Sequence, residues 1–203
     1  ESVQVTLNQD KIDALNKKVQ KSIDKQFAKS QKEIDANKKK VEDGQSSINA
    51  GSDQLTDAIN QTMDKQQELL KTEKDLKNQL ADLKKQQKSL TQIQSGIQTF
   101  MQSDAYTGIV TVLKDNPQLA ESEEMKAQVK QLNKVVKEQF AALSSLGITV
   151  NTYEDLPAAS AEVGKLLTQV NTGIKTIESA QKKVESGKVS LSSALDTLNA
   201  NAS

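Results

Sequence analysis

Cysteine, histidine, arginine and tryptophan are all absent from this 203-residue chain. Without Cys there is no disulfide framework and no thiolate chemistry. That absence fits an extracytoplasmic protein that avoids stray disulfides, and it fits many cytosolic ones. Without His the chain lacks the commonest general base and metal ligand. Without Arg it lacks the planar fork that suits phosphates and base edges. Its 27 basic residues balance its 27 acidic ones, and it has only two Tyr and three Phe. That argues against nucleic-acid binding by charge neutralisation or by base stacking. No apolar run is long enough to read as a membrane span. The chain opens on Glu1 with no leader pattern, which reads as a piece excised from a longer polypeptide.

What is present is periodic. The hydrophobic fraction of 35% is too low for a thick core, and charged residues make up 27%. From Phe27, every seventh residue reads Ile34, Val41, Ile48, Leu55, Thr62, Leu69, Leu76, Leu83, Leu90 and Ile97. Only Thr62 is not large and apolar. A seven-residue repeat this long keeps its stripe on one side of a helix that supercoils around a partner. Periodicity of this strength argues against disorder for the segment. No Pro interrupts it, so the spacing predicts an unbroken helix, roughly 105 Å long over Phe27–Ile97.

The second seam position, three residues later, includes Gly44, Gly51 and Ala58. Gly inside a helix costs roughly 1 kcal/mol against Ala, so glycines at heptad spacing predict a close neighbour. The last helix repeats the grammar: Val163, Val170, Ile177, Val184, Leu191 and Leu198 form one stripe. Leu166, Gly173, Ala180, Gly187 and Ala194 form the other. The two stripes are expected to pair antiparallel, with Gly44, Gly51, Gly173 and Gly187 marking the close packing.

In chain order, Val3, Val5 and Leu7 alternate with polar residues as a half-buried strand does, with no convincing partner strand. Asn8 or Asp10 can cap the first helix. Ser103 or Asp104 can cap a short one bearing Tyr106, Ile109, Val110 and Leu113. Asn116-Pro117 marks a turn. An apolar helical face then runs from Leu119 to Leu146, Gly147 is a stop, and 148–151 is a break. Thr152-Tyr-Glu-Asp155 resembles a capping box before the last helix, with Pro157 in its first turn.

Chemistry is sparse. The neighbouring carboxylates Glu42-Asp43, Glu123-Glu124 and Glu154-Asp155 do not share a helix face. Asp53 and Asp57 do, but lack a third ligand. There is no phosphate loop, nucleophile elbow or metalloprotease motif. No catalytic residue, cofactor or metal is assigned. Lys38-Lys39-Lys40 reads as a solvated face. Tyr106, Ile109, Val110 and Leu113 either pack on the ends of the long helices or form an exposed docking patch.

Residues 1–15, Glu-Ser-Val-Gln-Val-Thr-Leu-Asn-Gln-Asp-Lys-Ile-Asp-Ala-Leu, resemble a strand-to-helix junction in the extracytoplasmic pore domain of RND-superfamily efflux transporters. The family's usual Gly-Leu pair is replaced here by Asn16-Lys17-Lys18. The helical remainder is similar in style to coiled-coil insertions of Gram-positive RND permeases. The resemblance implies a membrane parent, an extracytoplasmic location and an export-related role, and carries over no functional residues. The expected fold is all-α: a long antiparallel coiled-coil helical hairpin with a short helical tip and an orphan N-terminal strand. Residues 1–9 would end a parent β-containing domain. Residues 10–203 would form the hairpin, with outgoing arm 10–102, tip 103–117 and return arm 118–203 broken at 147–155. Its partners would be its own antiparallel arm, the parent transporter, and an envelope protein or neighbouring protomer. A stalk of the phage-infection-protein type and a cytosolic structural coiled coil are the alternatives.

Overall fold

The computed structural model describes residues 9–44 and 51–202, with side chains for 10–40 and 51–202. The expected strand Val3–Leu7 lies outside the described residues. Every element among them is helical: α1 Gln9–Gly44, α2 Gly51–Met101, α3 Asp104–Asp115, α4 Glu123–Gln139 and α5 Leu156–Ala202. Short 3-10 turns at Pro117–Glu121, Ala141–Leu146 and Tyr153–Asp155 join the later ones. The all-α class is therefore as expected. The chain divides into two compact units.

One unit combines Ala14–Asp82 with Gly173–Ser203, and so holds most of α1, the first part of α2 and the last part of α5. Lys65 reaches Glu33 at 3.2 Å, and the Thr72 hydroxyl donates to Gln26 at 2.9 Å. Seven residues up α2 correspond to seven residues down α1, so these helices are antiparallel. Lys183 meets Asp24 at 3.2 Å, and Gly187 lies against Phe27 and Leu69, so α1 and α5 run parallel. Lys188 donates to Glu73 at 2.7 Å. Ile34, Leu69, Leu191 and Ala194 form a buried cluster. The unit is a three-helix packing.

The single outgoing arm over 10–102 is thus corrected. A heptad stripe requires a partner alongside but does not say which. Folding α1 back on α2 buries the stripe against the same chain at the cost of one short connection. The small side of α5 at Gly187 receives Phe27 and Leu69, while Gly44 ends α1. Of the other glycines named, Gly173 is buried and Gly51 half-buried at the start of α2.

Ser30 and Asn37 of α1 and Thr62 and Lys65 of α2 are buried as well. Burial disfavours the Lys65 ammonium, but hydrogen bonds and charge from Glu68 and Glu33 outweigh it and hold its pKa above the ordinary value. The Thr62 hydroxyl donates to the Ala58 carbonyl one turn back. A buried charge of this kind needs its partners, and it ties Glu33 of α1 to one level of α2.

The other unit combines Glu1–Asp13 with Leu83–Thr172. Here α2 and α5 are antiparallel: Gln87 donates to Asn171, and eleven residues on Gln98 donates to Ser160 at 2.9 Å. Leu83, Leu90 and Ile97 of α2 and Leu156, Val163 and Val170 of α5 are each at most 1% exposed. This is the most complete apolar seam among the described residues. The α-helical part of the return segment stops at Gln139, earlier than expected, and a 3-10 turn carries Leu143 and Leu146 into the core. Gly147 then takes a left-handed backbone, φ 76°, which a side chain would strain.

Candidate functional site

Caps fix the local structure around α3 and α4. Ser103 accepts from the Tyr106 amide to open α3. Ser122 accepts from the Met125 amide at 3.1 Å to open α4, with Glu123 and Glu124 in the first turn, where carboxylates favour the helix dipole. Asn116, forced out of the helix by Pro117, ends α3.

Four of the chain's five aromatic residues fall between positions 100 and 153, and the fold collects them. Phe100 meets Phe140 edge-on at 5.5 Å between ring centroids and Tyr106 at 6.3 Å. Tyr106 meets Tyr153 at 6.2 Å. Such edge-to-face contacts add to the apolar burial. Burial raises both tyrosine pKa values, and for Tyr153 the Glu154 charge adds to it.

The Asp155 carboxylate accepts from the amides of Asn151 and Thr152, at 2.8 and 3.0 Å. These two bonds hold its pKa below the ordinary carboxylate value. The capping box read from the sequence is present, with Thr152 and Asp155 bonding reciprocally. The Tyr153 amide donates to Asn133 of α4 at 2.9 Å, tying the box to the helix beside it. A carboxyl with a depressed folded-state pKa stabilises fully above its unfolded pKa, and that contribution fades as pH falls through the folded value. Asp155→Ala is therefore expected to cost about 1 kcal/mol in urea unfolding at neutral pH and to lose less stability than the parent on acidification. An equal acid dependence in both would refute this role.

The structure separates the four predicted contact residues. Tyr106 and Ile109 are buried, whereas Val110 and Leu113 are half-buried. The exposed apolar residues nearby are others: Val112 of α3, Leu119 of the Pro117–Glu121 turn and Val135 of α4, 37 to 39% exposed. Every residue from Lys114 to Glu124 is exposed. Sequence reasoning passed over Val112 and Val135. The aromatic cluster could have been found from the crowding of aromatics into one quarter of the chain.

Asp53 and Asp57 are exposed, and no described group of three or more acidic residues could hold a metal ion. Lys38, Lys39 and Lys40 are exposed too. Among the described residues no helix is long and apolar enough to cross a membrane. Comparison with models of known families, with curated proteins and with solved structures finds no match for this chain.

Proposed function

We propose that this chain is a non-catalytic extracytoplasmic helical domain of an RND-type membrane exporter, a stiff extension that makes protein–protein or envelope contacts. In finer terms α2 and α5 act as an antiparallel coiled-coil hairpin. The α3–α4 region is its tip, and Val3–Leu7 is a strand that joins the parent's pore domain. The membrane context rests on the resemblance of residues 1–15 to the pore-domain junction. The observation that carries the contact role is the exposed apolar set Val112, Leu119 and Val135 beside a capped, aromatic-packed base. A rigid base lets small apolar side chains dock at little entropic cost.

The absence of Cys allows a clean test in the producing cell. A single Asp115→Cys variant is expected to react with a membrane-impermeant maleimide in intact cells, and Val112→Asp with Leu119→Asp to impair export without unfolding the chain. Labelling only after lysis would overturn the extracytoplasmic location. Unchanged export in the double variant would overturn the contact role.

A further inference from the structure

The net charge of zero conceals a sorted distribution. Between Ala14 and Lys40 nine lysines stand against three acidic residues, Asp24, Glu33 and Asp35. All three acids are engaged on the flanks of α1. Asp24 accepts from Gln20 at 2.9 Å and meets Lys183 of α5 at 3.2 Å. Glu33 meets Lys65 of α2 at 3.2 Å, and Asp35 accepts from Gln31 at 3.0 Å. Lys18, Lys21, Lys25, Lys29 and Lys32 are exposed, and none is paired with an acid among the described residues.

Helix geometry puts these five on one line. At about 100° per residue they span an arc of roughly 80°, on the side away from the buried Val19, Ile23, Ser30 and Ile34. The line is roughly 21 Å long. Lys21 with Lys25 and Lys25 with Lys29 are like-charge pairs one turn apart, which destabilise a helix. Elsewhere the chain relieves such charge three residues away, as Glu162 does for Lys165 and Glu185 for Lys188. The outward side of α5 in the same unit is mixed: Lys175 and Lys182 stand with Val189 and Asp196, all exposed. Nothing in the packing of α1 requires a line of lysines, so the negative charge that relieves it comes from outside the chain.

The composition of the line selects the partner. Protein interfaces are poor in Lys and centre on aromatic, Met or Arg anchors, and this line holds none. It has no Arg to fork a phosphate and no ring to stack a base. A lysine is a hydrated point charge on a flexible stem, which suits a diffuse sheet of negative charge. The apolar side of α1 is buried, so the helix lies on such a surface without entering it. We infer that the Lys18–Lys32 side of α1 binds the headgroups of an anionic lipid bilayer. Acids elsewhere on the chain oppose this little, because beyond roughly 10 Å they are screened. This binding requires only α1 as packed and is independent of an export role.

Flotation of the full chain with vesicles of equimolar phosphatidylcholine and phosphatidylglycerol tests this. Binding is expected there and not on phosphatidylcholine alone, and it should fall steeply as salt rises. Each lysine held near an anionic surface multiplies affinity roughly fivefold. Lys21→Gln with Lys25→Gln is therefore expected to weaken binding roughly 20-fold. Lys175→Gln with Lys182→Gln removes the same charge from α5 and should change it less than about twofold. All four sites are exposed, and both variants should keep the helical spectrum. No binding to the anionic vesicles, or equal binding to neutral ones, would overturn the inference. So would equal losses in the two variants, because the chain would then respond to total charge and not to α1. Binding of soluble polyphosphate or polyglutamate that depends on Lys21 and Lys25, with none to vesicles, would assign the line to a dissolved polyanion and overturn the lipid surface.

Discussion

Gly187→Leu is expected to destabilise the chain by about 3 kcal/mol, or roughly 10 °C in thermal midpoint for a chain of this size. A Cβ at Gly187 would already stand 2.8 Å from Cε1 of Phe27 and 3.1 Å from Cδ1 of Leu69. A leucine must displace both, and Leu69 is itself buried in the three-helix core. The helix-propensity gain of roughly 1 kcal/mol on replacing Gly is too small to offset that. The compensating variant separates crowding from other causes. Phe27→Ala combined with Gly187→Leu moves the bulk from α1 to α5 and should recover at least half of the loss, a coupling that two independent sites would not show. Additive losses in the double variant would mean that α1 and α5 do not approach at this level.

Phe140→Ala should cost about 4 kcal/mol, as truncating a buried Phe does. Phe140 is 7% exposed and meets Phe100 edge-on at 5.5 Å between ring centroids. Removing it leaves a cavity under the 3-10 turn that carries Leu143 and Leu146 and loses the ring pairing as well. Urea unfolding followed in the near-ultraviolet, where the tyrosines report, should show the loss. Leu119→Ala, at an exposed site in the neighbouring turn, should stay within about 0.5 kcal/mol of the parent. Equal effects of the two would show that the aromatic cluster does not organise this unit.

The helices were legible because their signals are local. Sevens in the apolar pattern, the Ser103 cap of α3, the stop at Gly147 and the Thr152–Asp155 box all act within a few residues. The stripes Leu83–Leu90–Ile97 and Val163–Val170 were legible for the same reason, but the register in which they meet, with Gln87 opposite Asn171, was not. Nor was the reversal between α1 and α2. The heptad register runs unbroken from Ile34 to Thr62, and Gly44 and Gly51 fit a close-packing stripe as well as they fit helix ends. The choice lies in long-range burial, such as that of Ile34 with Leu191. The aromatic cluster failed differently: Phe100, Tyr106, Phe140 and Tyr153 sit on separate elements, and only the turns between them decide that the rings meet. Which side of the twelve-residue α3 is covered was not legible either: Tyr106 and Ile109 are buried, whereas Val112 is exposed.

The parallel course of α1 and α5 sets an order of assembly. Gln26 and Thr72, which join α1 to α2, lie 46 positions apart in the chain, whereas Asp24 and Lys183, which join α1 to α5, lie 159 apart. Closing the larger loop costs about 1 kcal/mol more in chain entropy. During synthesis α1 and α2 also leave the ribosome long before the last turns of α5 exist. The contacts between α1 and α2 are therefore the ones the chain can close first, and those that bring Leu191 and Ala194 of α5 against Ile34 and Leu69 the ones it closes last.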